Sequence, residues 1–372
     1  MSDPRPSMPL FRAEHVGSLL RPRTLTQAHR ALEKGEISAD DYRAVVEQSI
    51  REAVAMQEAA GLEVVTDGEF RRGSYWGHFV EAVEGMGTKP ALFDFHDADG
   101  HVQPFIAPHV EGKISRTRSI SGAEYRFLRA AAIKTPKLTL PSPPTMHFWR
   151  GPAGIAREAY VELGEVFTDL ARVYAQEIAD LAAAGCRYVQ IDEVPLAMLC
   201  DPGVREVVRG RGEDPEALVG IYIDAINDAV KDRPAGMTVG LHMCRGNFKG
   251  KWLAEGGYES VAERAFAELK IDVFFLEYDS PRAGDFAPLR FVPAPKGVVL
   301  GLVSSKTPDL EAKDMLIRRI EAASRVLPLD RLAISPQCGF ASAVSGNPLT
   351  IDDERRKLER IVEVAREVWG RA

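Results

Sequence analysis

The residues of this 372-residue chain with the clearest chemical potential lie in T-V-G-L-H-M-C-R-G-N, positions 238–247. A short apolar run ends there in His242 and Cys244, and glycine and asparagine follow at once. Alternate side chains of a strand share one face, so the imidazole and the thiol leave the strand end together. Both are zinc ligand types. An isolated H-x-C is weak by itself, because cysteine is commonly a small core residue. Glu277, at the end of V-F-F-L-E, and Cys338, in S-P-Q-C-G, extend the set. Two thiolates, an imidazole and a carboxylate suit a tetrahedral zinc site. The carboxylate is the weakest of the four, so an incoming thiol would displace it and lose its proton to become a nucleophile. The bland alternative is a pair of core cysteines with Glu277 in an ion pair at a barrel mouth. Cys186 and Cys200 are read as structural.

Elements must bring these residues to one place. Apolar strand candidates occur around Glu14–Leu19, then in L-E-V-V-T-D-G-E-F, K-L-T-L-P-S-P-P and Y-V-Q-I-D-E. They continue with T-V-G-L-H-M-C, V-F-F-L-E-Y, K-G-V-V-L-G-L-V and R-L-A-I-S-P-Q-C-G. Helical periodicity covers Ala39–Ala60, Glu158–Ala184, Pro215–Val230, Tyr258–Leu269, Asp309–Val326 and Asp352–Trp369. Eight apolar strands alternating with helices imply a parallel sheet. The expected fold is α/β, a (β/α)8 TIM barrel forming a single catalytic domain over residues 1–372, with residues 1–12 as an arm. An open doubly wound sheet is disfavoured, since no G-x-G-x-x-G follows the first strand. Residues 77–135 break the rhythm, rich in Gly, His and Pro, with G-K-I-S-R-T-R-S-I alternating as a hairpin arm does. They are expected as an insertion between the second and third strands, lining a pocket or forming a subunit contact.

In such a barrel the site lies at the C-terminal strand ends. Those ends carry His15, Gly17 and Ser18; Asp67, Gly68 and Glu69; Asp192 and Glu193; His242 and Cys244; Glu277 and Asp279; and Cys338. Polar groups are costly to bury unpaired, so their convergence reads as an active site.

Composition narrows the partners. A net charge of −7 without a dense Lys/Arg block argues against nucleic acid. No run of 18 apolar residues suggests a membrane span, and M-S-D-P-R-P-S-M-P-L lacks a secretory apolar region. Four scattered cysteines fit a reducing compartment. The expectation is a cytoplasmic protein acting on small molecules, its oligomeric state open.

The chain resembles the catalytic barrel of the cobalamin-independent methionine synthase family nearly end to end. The carrying motifs are H-V-G-S at Ser18, T-D-G-E at Glu69, Y-V-Q-I-D-E at Asp192, H-M-C, L-E-Y and S-P-Q-C-G. The resemblance implies Zn2+ held by His242, Cys244, Glu277 and Cys338. It also implies homocysteine as acceptor, its amino acid head held by Ser18, Glu69 and Asp192, where carboxylates would meet the ammonium. The implied reaction transfers a methyl group to the thiol and yields methionine, with 5-methyltetrahydrofolate or its polyglutamate as donor and Trp149 against the pterin. An ordinary buried indole is the alternative for Trp149.

Two departures qualify this. The family's N-terminal barrel is absent from the sequence, and Val303, in G-L-V-S-S-K-T-P, stands where the family keeps a proton-relaying histidine. General acid help to a folate leaving group is worth about 10²–10⁴ in rate; Lys306 and His147 are the candidate replacements. A different donor therefore stays open. So does a different acceptor, as in epoxyalkane–coenzyme M transferases, for which Arg21, Arg71 or Arg72 would bind a sulfonate. A zinc-binding barrel without catalysis is the reading from another class.

Overall fold

The computed structural model describes residues 10–372 except Ala98; the first nine residues of the expected arm lie outside the described residues. The strands are β1 (Val64–Val65), β2 (Val83–His96), β3 (Val102–Arg116), β4 (Thr135–Pro136), β5 (Leu138–Pro141) and β6 (Tyr188–Glu193). They continue with β7 (Thr238–Met243), β8 (Val273–Glu277), β9 (Gly297–Val303) and β10 (Leu332–Pro336). Strands β5 to β10 pair in chain order as one parallel six-stranded sheet. Every residue of β5, β6, β8, β9 and β10 is buried, as a sheet covered on both faces requires. Strand β1 pairs in parallel with β4, which runs almost directly into β5.

The fold is α/β of TIM-barrel type, with one difference at its start. The strand expected at Glu14–Leu19 is reduced to a parallel bridge between Ala13 and Ile334, with Glu14 N donating to the Ile334 carbonyl at 3.0 Å. Among the described residues no ladder joins this segment to β1. The contact there is Leu19 N to the Gly68 carbonyl, 3.1 Å, and Thr66 Oγ1 to the Gly17 carbonyl, 2.6 Å. The physical reason is that H-V-G-S bends across the sheet end, leaving Ser18 at the rim.

The helices around the sheet are α1 (Arg23–Glu33), α2 (Ala39–Ala59), α3 (Gly77–Ala82), α4 (Gly122–Ala131), α5 (Thr145–Phe148) and α6 (Leu163–Ala183). They go on to α7 (Pro195–Met198), α8 (Pro202–Gly210), α9 (Pro215–Val230), α10 (Glu259–Glu268), α11 (Lys313–Ser324) and α12 (Ile351–Trp369). Their starts follow capping chemistry. Ser38 with Asp41, and Thr350 with Asp353, close reciprocal caps on α2 and α12. The helix expected from Glu158 begins five residues later, because Glu162 and Glu165 form its cap. No helix among the described residues is long and apolar enough to cross a membrane.

The expected insertion is α3, the antiparallel hairpin β2–β3, and α4, placed between β1 and β4. The hairpin folds back over the rim. His96 and Trp252 exchange main-chain hydrogen bonds of 2.9 Å in both directions, and Leu92 N donates to the Trp149 carbonyl at 3.0 Å. The insertion thus reaches the loops after β5 and β7.

Within the barrel the fully buried Lys137 ammonium donates to Glu14 Oε2 at 3.0 Å and to the His15 carbonyl at 2.6 Å. Tyr188 donates to Glu14 Oε1 at 2.9 Å. Burial pushes the Glu14 carboxyl up and the Lys137 ammonium down, each opposed by the other's charge. Removing one member of a buried pair costs about 3–5 kcal/mol. Lys137→Met is expected to lose about that much in urea unfolding at neutral pH. A carboxyl with a raised folded pKa holds its proton more tightly when folded, so part of the loss should return as pH falls toward that of Glu14. Glu14→Gln combined with Lys137→Met should be more stable than Lys137→Met alone.

Candidate active site

Parallel register brings the sequence-predicted residues to one rim. Asp192 on β6 is the ladder partner of His242 on β7. Met243 pairs with Leu276, and one residue further along each chain stand Cys244 and Glu277. Cys338 follows β10 by two residues. His242, Cys244 and Cys338 are all buried, and their ligand atoms lie within 4.8 Å of one another. The two sulfurs are 3.8 Å apart, sharing a hydrogen and not a covalent bond.

Electrostatics mark this trio as a donor set. A hydrogen shared with Cys244 holds Cys338 well below the usual thiol range against the opposing effect of burial, helped by His242. The same shared hydrogen, with burial, pushes Cys244 well above it. Burial would lower the His242 pKa, but Cys338 raises it overall. Neither His242 ring nitrogen has a conventional nitrogen or oxygen hydrogen-bond partner. Buried polar atoms without partners are costly, and an imidazole beside two thiols fits a zinc ion. By contrast Cys186 and Cys200 lie buried elsewhere, their thiols pushed up to about 12 and about 11 by burial, as structural cysteines behave.

Glu277 stands outside the trio. Its fully buried carboxylate accepts from Arg282 at 2.5 Å and from Arg245 N at 2.8 Å. Arg245 Nη1 and Lys306 Nζ approach at 3.6 and 3.5 Å. Burial would raise its pKa, but Lys306, Arg245 and Arg282 hold it well below the usual carboxylate range. The three cations compete with any metal for it.

A cavity of about 470 Å³ opens over the trio, lined also by Ser18, Glu69, Asp192 and Trp149. Of the expected metal ligands and substrate contacts Glu277 alone does not line it, and of the other strand-end candidates His15, Gly17, Asp67, Gly68, Glu193 and Asp279 do not either. Glu69 is held at φ 60°, a region that non-glycine residues rarely adopt. Asp67 Oδ1 accepts its main-chain N–H at 2.9 Å, and Thr139 Oγ1 donates to its carboxylate at 2.7 Å. Arg72 stands 3.7 Å behind it. Burial raises the Glu69 carboxyl. Burial and the neighbouring Glu69 push Asp192 up to about 7. Two buried carboxylates facing one cavity favour a cation between them. Ser18 is fixed by Phe340 N, which donates to its carbonyl at 2.9 Å. A Cβ at Gly339 would lie 1.9 Å from Ser18 Oγ, so only glycine permits this approach.

The other candidates are placed elsewhere. Arg21 donates to the Glu69 and Arg72 carbonyls at 3.0 and 2.6 Å. Arg72 donates to Glu124 and Thr139 at 2.8 Å each, and Arg71 lies 4.5 Å over the Phe127 ring. Val303 is buried on β9, and neither Lys306 nor His147 lines the cavity. His147 is bound to Tyr222 at 2.8 Å and faces Glu213 at 3.3 Å.

Sequence reading missed the aromatic wall. Tyr75, Trp76, Phe95, Phe105 and Phe248 line the cavity with Trp149. Phe95 and Phe105 face each other across the hairpin at 5.0 Å, and Phe105 meets Trp149 edge-on at 5.3 Å. Period-two spacing of Phe93 and Phe95 was the available signal; which face they would cover was not.

These features define a TIM-barrel-type protein with a thiolate–imidazole cluster at the strand ends. The chain belongs to the family described as cobalamin-independent synthase, catalytic domain, whose profile matches residues 11–367. It is 42% identical over 367 residues to the uncharacterized protein YxjH of Bacillus subtilis, covering 96% of this chain and 95% of that one. A solved Listeria monocytogenes structure assigned as a vitamin-B12 independent methionine synthase superposes with TM-score 0.76 at 33% identity, over 97% and 98% of the two chains. The 5-methyltetrahydropteroyltriglutamate–homocysteine methyltransferase of Mycobacterium tuberculosis H37Rv is 24% identical over 98% of this chain but only 44% of its own length.

One equivalent of zinc is expected to bind, and Co2+ in its place should give thiolate charge-transfer absorption. Cys244→Ser and Cys338→Ser should each weaken zinc binding by more than the roughly 10–100-fold typical of losing an outer partner. Bound metal must displace protons from groups whose pKa is raised, His242 and Cys244, so affinity should fall as pH falls. Competition with a chromophoric chelator across pH measures both.

Proposed function

We propose that this protein methylates the thiol of homocysteine, giving methionine, at a zinc ion held by His242, Cys244 and Cys338. Glu277 is the proposed fourth, displaceable ligand, weak because it would have to leave Arg282 and Lys306 to serve the metal. When bound, zinc supplies Lewis acidity that lowers the pKa of an incoming thiol. The observation carrying the reading is that the trio and two buried carboxylates line one cavity.

Glu69 and Asp192 would take the substrate ammonium as charge-assisted hydrogen-bond acceptors, which also offsets the burial that raises the pKa of each. Ser18 would donate its hydroxyl to the substrate carboxylate. The aromatic wall excludes water, which strengthens these contacts and protects the thiolate. A sulfonate acceptor is disfavoured, because Arg21, Arg71 and Arg72 do not line the cavity. A purely structural zinc site is disfavoured too, since such sites are closed and this trio opens on a cavity. Four free cysteines fit a reducing compartment such as the cytoplasm.

For the donor, the resemblance to folate-dependent enzymes has one structural support, Trp149 in the cavity wall. It also meets an obstacle. A departing pterin nitrogen needs a proton, and neither Lys306 nor His147 lines the cavity.

Calorimetric titration of the zinc-loaded protein with L-homocysteine in buffers of different ionisation enthalpy tests the acceptor. Release of about one proton is expected, abolished in Cys338→Ser. Asp192→Asn and Glu69→Gln should each weaken binding about tenfold or more, the worth of a charged hydrogen bond. No homocysteine binding with zinc present would end this reading.

A further inference from the structure

We propose that the methyl donor this cavity is built to take is a methylsulfonium, a cation whose leaving group is a neutral thioether. The proposal rests on the homocysteine reading for its acceptor and on three independent features for its donor.

The first is charge. Among the described residues the lining carries no lysine or arginine, and besides Glu69 and Asp192, which the homocysteine ammonium would occupy, it carries the carboxylate of Glu81. The nearby guanidinium groups stand behind the wall, Arg72 between Glu69 and Glu124, and Arg245 and Arg282 on Glu277. A cavity of this sign attracts cations and repels polyanions.

The second is the wall itself. Six aromatic side chains line the cavity, and four form an unbroken series. Trp149 meets Phe105 at 5.3 Å, Phe105 meets Phe95 at 5.0 Å, and Phe95 meets Phe248 at 5.4 Å. Aromatic surfaces with nearby carboxylates recognise methylated cations through the ring quadrupole, and desolvation strengthens that attraction. The volume, about 470 Å³, falls in the range of about 300–1,000 Å³ for small-molecule sites.

The third is the leaving group. Among the described residues the one imidazole in the lining is His242, already committed to the trio. A sulfonium needs no acid. The homocysteine thiol gives its proton to solvent, and its sulfur lone pair forms the new S–CH3 bond. The old C–S bond breaks, and its electron pair stays on the departing sulfur as a neutral thioether. Opposite charges cancel along this path, which a buried, aromatic-lined cavity favours.

The test uses the zinc-loaded full chain with perdeuterated trimethylsulfonium and L-homocysteine. Methionine three mass units heavier and deuterated dimethyl sulfide are the expected products, read by mass spectrometry. Phe105→Leu should lower kcat/KM for the sulfonium about tenfold, and Phe105→Tyr should stay within about twofold. Binding is read separately, without homocysteine, by saturation-transfer NMR on unlabelled trimethylsulfonium. Absence of saturation transfer overturns the proposal whether or not homocysteine binds. So does methyl transfer from 5-methyltetrahydrofolate with none from the sulfonium. Homocysteine binding with proton release but no sulfonium binding removes the donor and leaves the acceptor reading standing. Sulfonium binding without homocysteine binding does the reverse.

Discussion

Charge separation across the barrel rim is the constraint on which the site depends. Carboxylates and thiols face the cavity, and the cations that could neutralise them are held one layer back. Arg72 is locked between Glu124 and Thr139, and Arg21 is spent on main-chain carbonyls. Arg245, Arg282 and Lys306 converge on Glu277. Buried anions are expensive; Glu69 has Arg72 behind it and a hydrogen bond from Thr139, and Asp192 one from Gln190, so a cation arriving on the cavity side adds to what these partners supply. A metal between the trio and an ammonium between Glu69 and Asp192 are the two the geometry invites.

The scaffold makes this separation possible through parallel pairing. Strand ends at equivalent heights bring Asp192 beside His242, and Cys244 one residue past the Met243–Leu276 pair. Side chains just beyond the ladder are free to turn inward, while the next residues, such as Arg245, turn outward into the helical layer. Arg245 lies 4.3 Å over the Tyr258 ring at the start of α10. The hairpin then supplies what strand ends cannot, an apolar lid of aromatic rings, fastened by its main chain to Trp252 and Trp149.

Much of this was legible in the sequence, for a physical reason. Strands buried on both faces are continuous apolar runs, so the polar residues ending them stand out. His242, Cys244, Cys338, Asp192, Glu69 and Ser18 were found that way, and they meet in one cavity. Glu277 was found equally well, but its partners were not. Arg282 and Lys306 lie 5 and 29 residues further on and reach it only through the fold. The first strand was misjudged because Glu14–Leu19 has strand composition, yet its polar groups are drawn to Lys137 and the rim. In the 77–135 stretch, alternation revealed a hairpin; its docking over the rim depends on contacts at His96 and Leu92 that no local pattern encodes.

The same charge logic separates the two halves of the proposed chemistry. Activating a thiol needs a Lewis acid and anionic anchors for an ammonium, and every residue proposed for that task except Glu277 lines the cavity. Expelling a basic nitrogen needs an acid close to the departing atom, and the groups best suited by type, Lys306 and His147, are held by Glu277 and by Tyr222. Moving His147 into the cavity would leave the buried Tyr222 hydroxyl without its partner, a cost of about 1–3 kcal/mol, and moving Lys306 would take one of three cations from the buried Glu277 carboxylate. The protein therefore resists becoming an acid catalyst by simple rearrangement. A donor that departs as a neutral molecule asks nothing of that missing acid, and a donor that arrives as a cation meets aromatic faces and, among the described residues, no lysine or arginine in the lining.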